Sequence, residues 1–145
     1  MCVFLIVGGC GGNGNQGTGT ATFGGSWSGT LMHPATTCSD GTVKAEFSGP
    51  TQWMINQDQA GMFLTWTGRC PVTNILFAVD SDGRARQQGD PALCINTPTA
   101  QATMSSGVMT VAGDVLTATI DETEHDSSAQ TRDCEYLLSL TMMRQ

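Results

Sequence analysis

The alternation of apolar and polar residues from Gly25 onward is the feature that most constrains this fold. Val, Ile, Thr and aromatic residues recur at every second position in short runs, and no run carries an apolar stripe at helical spacing. Turn clusters such as residues 58–61 and 81–83 separate the runs. The sequence therefore predicts an all-β domain with almost no helix.

The alternating runs predict about ten short strands joined by short turns. They cover residues 26–33, 42–47, 52–57, 62–67, 72–80, 84–88, 101–105, 109–112, 115–121 and 134–142. The most regular alternation is that of residues 42–47, where Val43, Ala45 and Phe47 are expected to face the core. Such an antiparallel up-and-down meander closes into a small barrel or packs as a two-sheet sandwich, because both show the same alternation.

The first 24 residues have a different composition from the rest of the chain. An apolar run at residues 3–7 ends in Gly8, Gly9 and Cys10, and a spacer rich in Gly, Asn and Thr follows. We interpret residues 1–9 as a signal peptide, 10–24 as a flexible tether and 25–145 as one β-barrel domain. Since no Lys or Arg precedes the apolar run, we expect Met1 to lie inside a longer signal. The alternative is a cytosolic chain whose N-terminus is apolar.

Val7, Gly8, Gly9 and Cys10 together resemble the lipobox of bacterial lipoproteins. That resemblance implies that Cys10 becomes the mature N-terminus and carries a diacylglyceryl group and an amide-linked acyl chain such as palmitate. Two or more acyl chains are what stable membrane anchoring requires. Gly11, where lipoproteins of the inner membrane often have Asp, favours the outer membrane of the cell envelope.

Charge and hydropathy restrict the partners. The net charge is −7, and the six basic residues are scattered along the chain. Nucleic acid is therefore not an expected partner, because binding it requires clustered Lys and Arg. No stretch approaches the ~20 apolar residues of a membrane helix, so the lipid is the expected contact with the membrane.

Four of the six cysteines lie in the predicted domain. They are Cys38, Cys70, Cys94 and Cys134. An even number in an exported chain predicts two disulfides. A metal site of four thiolates is the alternative, and the separations of 24 to 40 positions argue against it, because zinc sites use closely spaced pairs.

The predicted topology selects one of the three possible pairings. A tight turn at Asp82 and Gly83 brings Cys70 to within one position of Cys94, a slip that a bulge or Pro91 can absorb. A last strand that closes the barrel beside the first brings Cys38 within reach of Cys134. The predicted disulfides are therefore Cys70–Cys94 and Cys38–Cys134.

Gly25, Ser26 and Trp27 open the first predicted strand with a G-x-W motif. The motif resembles the opening of lipocalins and their calycin relatives, which implies an up-and-down barrel. Residues 25–30 also resemble the first strand of small Gly/Thr-rich bacterial lipoproteins.

Sequence motifs for catalysis are absent from the chain. There is no G-x-S-x-G, no glycine-rich phosphate loop that enters a helix and no H-E-x-x-H, and the only imidazoles are His33 and His125. We therefore expect a protein that is not an enzyme and needs no cofactor. An enzyme that uses Glu124 with His125 is the least favoured alternative.

Residues 121–126 form a dense acidic segment. The carboxylates are Asp121, Glu122, Glu124 and Asp126, and a loop that carries them could bind Ca²⁺. Their spacing does not fit a calcium-binding loop of the EF-hand type, and a solvated hairpin tip explains them better.

Large aromatic and methionine side chains are the best indication of function. Candidate ligand-binding residues are Trp27, Trp53, Trp66 and Tyr136. They predict a non-catalytic binding or structural module, whose small apolar ligand would enter near Trp27. The same side chains could instead fill the barrel, which would leave a surface module that contacts an envelope protein or a glycan.

Cys10→Ser should abolish acylation, because serine offers no thiol for the diacylglyceryl group. In the native host, the protein should then leave the detergent-soluble membrane fraction and lose its acyl mass in intact-protein mass spectrometry. Cys2→Ser is the matched control and should leave both unchanged. An unmodified wild-type chain would contradict the lipoprotein interpretation.

Overall fold

The computed structural model describes residues 22–59, 61–70, 74–127 and 131–145. The predicted signal peptide, Cys10 and the tether up to residue 21 lie outside the described residues, and so do residues 72 and 73 of one predicted strand. Within the described residues, no helix is long and apolar enough to span a membrane.

The described part of the chain is all-β, as predicted. Its strands are β1 (Gly25–His33), β2 (Thr36–Thr37), β3 (Val43–Lys44), β4 (Phe47–Gln57), β5 (Met62–Trp66), β6 (Ile75–Val79), β7 (Ala85–Gln87), β8 (Ala92–Asn96), β9 (Ala100–Ala112), β10 (Val115–Asp126) and β11 (Arg132–Arg144).

Eight of these strands close into an antiparallel barrel. Going around it, the order is β10, β11, β1, β4, β5, β6, β7 and β9, and β9 pairs with β10 to complete the ring. This closure distinguishes the barrel from the sandwich. β8 is an extra strand that pairs with β9 beside β7, and β2 pairs only with β3.

Two predicted strands, 101–105 and 109–112, are one continuous strand, β9. A bulge at Ser105 causes the difference, because Asp121 of β10 faces Ser106 while Glu122 faces Met104. The extra residue changes the phase of alternation, so Met104 and Met109 both point into the barrel. Gly107 lies between them, and a Cβ there would come within 2.6 Å of the Met104 side chain.

The prediction for residues 42–47 is wrong. Only Val43 and Lys44 form a strand, and it pairs with β2 outside the barrel. Val43 is 66% exposed and Phe47 is 52% exposed, so neither is a core residue. Phe47 instead begins β4, where it pairs with His33 of β1. The ladder of β4 with β5 begins only at Trp53, so β5 does not cover the other side of Phe47. The sequence analysis also missed β8.

One hydrophobic core fills the barrel. Trp27, Trp53 and Trp66 are buried in it, and the ring of Trp53 meets that of Trp66 edge-on with centroids 5.3 Å apart. Gly29 lets β1 lie close to β11, because a Cβ there would lie 2.0 Å from the carbonyl oxygen of Thr141.

The end of the barrel near Trp27 is closed by the chain that precedes β1. Phe23 is fully buried there, and its carbonyl oxygen accepts a hydrogen bond of 2.8 Å from Nε1 of Trp27. The guanidinium of Arg144 lies 4.3 Å from the centroid of the Trp27 ring, and it donates to the carbonyl oxygens of Gly24 and Thr22. An apolar side chain and a cation–π contact therefore cover this end.

Both predicted disulfides, Cys38–Cys134 and Cys70–Cys94, are present. The first attaches the segment that carries β2 to the start of β11. The second joins the chain after β5 to β8. Cys94 lies at a bulge in β8, where the register against β9 shifts between Leu93 and Ile95.

The turn between β6 and β7 differs in register from the predicted turn. The last pair is Val79 with Ala85, rather than the predicted Ser81 with Arg84. Asp80 holds the turn, because its carboxyl accepts hydrogen bonds from the backbone N–H of Arg84 and from the Arg86 side chain. These hydrogen bonds lower the pKa of the Asp80 carboxyl.

Removing Cys38–Cys134 should destabilise the domain more than removing Cys70–Cys94. The loops close over 96 and 24 residues, and loop entropy gives about 4.7 against about 3.5 kcal/mol. Denaturant unfolding of the two paired Cys→Ala variants measures the order. Equal or reversed losses would contradict the loop-entropy explanation.

Candidate functional site

The wall of the barrel is incomplete between β4 and β8. β5 pairs with β6 over only three residues on each strand, and after Trp66 the chain turns away through Thr67, Gly68 and Arg69. The first half of β4 and the extra strand β8 have no ladder between them in the described part of the chain. A groove remains at this place.

We call this feature the Trp66 groove. Its volume is about 540 Å³. It is lined by Leu31, Phe47, Pro50, Thr51, Gln52, Trp66, Thr67, Gly68, Arg69 and Ile95. It therefore draws on four strands and the turn after β5.

Apolar side chains dominate the walls of the Trp66 groove. Leu31 and Trp66 belong to the buried core, whereas Phe47 and Ile95 are partly exposed beside them. Nε1 of Trp66 donates a hydrogen bond of 2.9 Å to the hydroxyl of the buried Thr51. The indole N–H is therefore already hydrogen-bonded within the protein, and the rest of the ring offers an apolar surface to the groove.

Arg69 connects the groove with the barrel interior. Its Nε donates to Oε2 of Glu122 at 3.1 Å, and its Nη2 donates to Oε1 of the same carboxylate. Glu122 is only 1% exposed, and Arg69 also lies 5.5 Å from the ring centroid of Trp66. A bidentate pair of this kind fixes the guanidinium at the side of the groove.

The acidic segment is not the hairpin tip that the sequence analysis favoured. Residues 121–126 belong to β10, which continues five residues past its predicted end. Glu122, Glu124 and Asp126 share the inner face, and each has a cationic partner from another part of the chain. The partners are Arg69 for Glu122, Lys44 for Glu124 and Arg132 for Asp126.

The other acidic residue of the segment, Asp121, lies on the outer face. Its carboxylate accepts a hydrogen bond from Ser106 of the bulge in β9. His125, also outward, contacts Asp133 of β11 at 2.6 Å. The proposed metal ligands therefore point to opposite sides of β10, and the described residues contain no group of three or more side chains arranged to bind a metal ion.

An aromatic row lies next to the groove. The rings of Phe47 and His33 stack with centroids 5.6 Å apart, and His33 meets Tyr136 at 4.9 Å. Burial raises the pKa of the Tyr136 phenol, and the negative charges of Glu124 and Glu122 act in the same direction. The phenol therefore stays protonated at neutral pH.

The structure distributes the four predicted ligand-binding residues along the barrel. Trp66 lines the groove, and Trp53 lies behind it in the core. Tyr136 contacts His33, whose ring stacks on Phe47 of the groove, whereas Trp27 lies under the closed end. A ligand role for these residues stays a prediction.

The sequence analysis missed Arg69 and Ile95. The sequence contains one indication of the position of Arg69. This residue directly precedes Cys70, whose disulfide fixes the backbone beside it. Ile95 follows the other half-cystine in the strand that was not predicted. Their positions at the groove depend on the disulfide between the two segments.

Comparison with known proteins gives no match: no family model fits the chain, and neither a curated protein nor a solved structure matches it.

Arg69→Ala should reduce the free energy of unfolding by about 3–5 kcal/mol, because it leaves the buried Glu122 carboxylate without its counter-charge. Arg86→Ala is the control, since its pair with Asp80 is exposed, and it should cause little change. Urea unfolding measures both. Arg69→Met combined with Glu122→Leu should recover most of the loss. Equal effects of Arg69→Ala and Arg86→Ala would contradict this role of the pair.

Proposed function

We propose that this protein is a lipid-anchored, non-catalytic binding module of the cell envelope, whose Trp66 groove takes the apolar part of a small ligand. The observation that carries the proposal is the groove itself. Its volume of about 540 Å³ lies within the ~300–1,000 Å³ range of small-molecule sites. Apolar walls with a few polar groups at the rim are also typical of such sites.

The partly exposed Phe47 and Ile95 support a ligand at this place. An exposed aromatic side chain next to a buried Trp and Leu loses favourable burial unless something covers it. Gln52, Thr67 and Arg69 provide hydrogen-bonding groups at the rim. The proposal places the ligand here rather than near Trp27, because Phe23 and Arg144 cover that end.

The lipobox-like residues at Cys10 and the two disulfides support the cellular location. Disulfides persist in oxidising compartments such as the bacterial periplasm. The G-x-W motif of β1 resembles that of the calycins, and the resemblance implies an up-and-down barrel whose interior could hold a small ligand. Here the interior is packed, so the proposal uses a groove in the wall instead.

The arrangement of β10 supports a non-catalytic role. Glu124 faces inward to Lys44 at 3.6 Å, whereas His125 faces outward to Asp133. A catalytic acid and base must reach one substrate. The two side chains of the alternative enzyme hypothesis lie on opposite sides of the strand.

Phe47→Ala and Ile95→Ala should each weaken binding of a neutral apolar fluorophore, N-phenyl-1-naphthylamine, by about tenfold, because each removes apolar contact area. Fluorescence titration of the oxidised protein measures the affinity. Val43→Ala, an exposed apolar residue outside the groove, should leave it unchanged.

A wild-type protein that does not bind the probe would overturn the proposal. Binding that is equally affected by Val43→Ala and Phe47→Ala would also overturn it, because the probe would then bind a site other than the groove.

A further inference from the structure

Two side chains of the Trp66 groove carry hydrogen-bond donors that meet no acceptor in the described part of the chain. The Arg69 guanidinium has five N–H groups. Its Nε–H and one Nη2–H go to Glu122, so three N–H groups remain. The Thr51 hydroxyl accepts from Nε1 of Trp66, and its own O–H proton is left over. The polar chemistry that these two side chains still offer is therefore that of a donor.

The two donors lie deeper than the other polar groups of the groove. Thr51 is only 7% exposed and Arg69 is partly buried, whereas Gln52 and Thr67 are exposed at the rim. Solvent supplies an acceptor to such groups as long as the groove is open. A ligand that covers the groove removes this solvent, and a covered donor without an acceptor costs free energy. A well-matched ligand therefore brings an acceptor of its own.

The pair of Arg69 with Glu122 restricts the charge of that acceptor. Among the described residues that line the groove, Arg69 is the only charged one, and Glu122 already balances its charge. An anionic ligand would place a second negative charge beside the Glu122 carboxylate, in a site partly shielded from solvent. The net charge of −7 adds to this repulsion. A cationic ligand would instead meet the guanidinium.

The other cations at this end of the barrel provide no spare positive charge. Lys44 pairs with Glu124 at 3.6 Å, and Arg132 pairs with Asp126. Each inward carboxylate of β10 therefore has one cationic partner, and each of these cations has one of the carboxylates. The surroundings of the groove are balanced in charge, which favours a neutral ligand.

Apolar surface and donors lie next to each other on Trp66. Its Nε1 is bonded to Thr51, and the centre of the Arg69 guanidinium lies 5.5 Å from its ring centroid. We infer that the Trp66 groove selects a neutral amphiphile. Its apolar body lies against Trp66 and Phe47, and its carbonyl, ester or amide oxygen accepts hydrogen bonds from Arg69 and Thr51. This inference rests on the proposed function and names the ligand class of the same site.

Four naphthalene derivatives of similar planar shape test the inference. They are 2-acetylnaphthalene, which carries a neutral acceptor, 2-isopropenylnaphthalene, which has CH₂ in place of that oxygen, the anion 2-naphthoate and the cation 2-naphthamidinium. Equilibrium dialysis against the oxidised whole chain with Cys2→Ser and Cys10→Ser, which carries no lipid, gives each dissociation constant. The ketone should bind about tenfold more tightly than either ion, because it alone offers an acceptor without a charge.

A pair of variants isolates the contribution of the guanidinium. Arg69→Met combined with Glu122→Leu removes the donor and its counter-charge together. The affinity of the ketone relative to the alkene should then fall about tenfold, the size expected for a hydrogen bond from a charged group. Arg84→Met is the control at an exposed position that does not line the groove, and it should leave this ratio unchanged. Near-ultraviolet circular dichroism checks that both variants keep the native fold.

The outcomes separate this inference from the proposed function. If the ketone and the alkene bind but their affinity ratio is the same in all three proteins, the inference fails and the proposed function stands. Tighter binding of 2-naphthoate or 2-naphthamidinium than of the ketone by the wild-type groove would also overturn the inference, and this comparison needs no variant. If none of the four compounds binds, the proposed function fails together with the inference.

Discussion

The pairing of β9 with β10 is the constraint on which the rest of this structure depends. It joins the two edges of the sheet, so the inward side chains of eight strands meet in one core that contains all three tryptophans. Closure also removes most of the free strand edges that would otherwise pair with other chains, and leaves such edges only at β8 and the first half of β4. Because the ring is closed, the remaining differences in chemistry lie at its ends, on its outer surface and where β8 meets the wall.

The end that contains Glu122 is held together by electrostatic and covalent contacts rather than by apolar packing alone. Each inward carboxylate of β10 has a cation from another segment, and both disulfides join segments near the same end. A buried carboxylate is tolerated only with such a partner, so Arg69 keeps its position beside Trp66. The pair with Glu122 thus fixes the Arg69 side of the groove.

Several features could be predicted because they depend on local pattern. β1, β5 and the β11 core alternate regularly, and both cysteine pairs follow from strand order and one turn. The failures also have physical causes. The bulge at Ser105 changes the phase of alternation in β9, which made one strand look like two. Residues 42–47 alternate as a core strand does, but Val43 and Lys44 pair only with β2, outside the barrel, so no core covers Val43.

By itself, the sequence determined that the chain is all-β and acidic, and that its four domain cysteines form Cys38–Cys134 and Cys70–Cys94. Alternation, charge and strand order are properties of the chain that any fold must respect. Only the tertiary structure decided between barrel and sandwich, paired Arg69 with Glu122 across 53 positions, and placed Phe47 and Ile95 on one groove. Those contacts depend on the register of strands that are distant in sequence, and a period of two carries no information about which strands become neighbours.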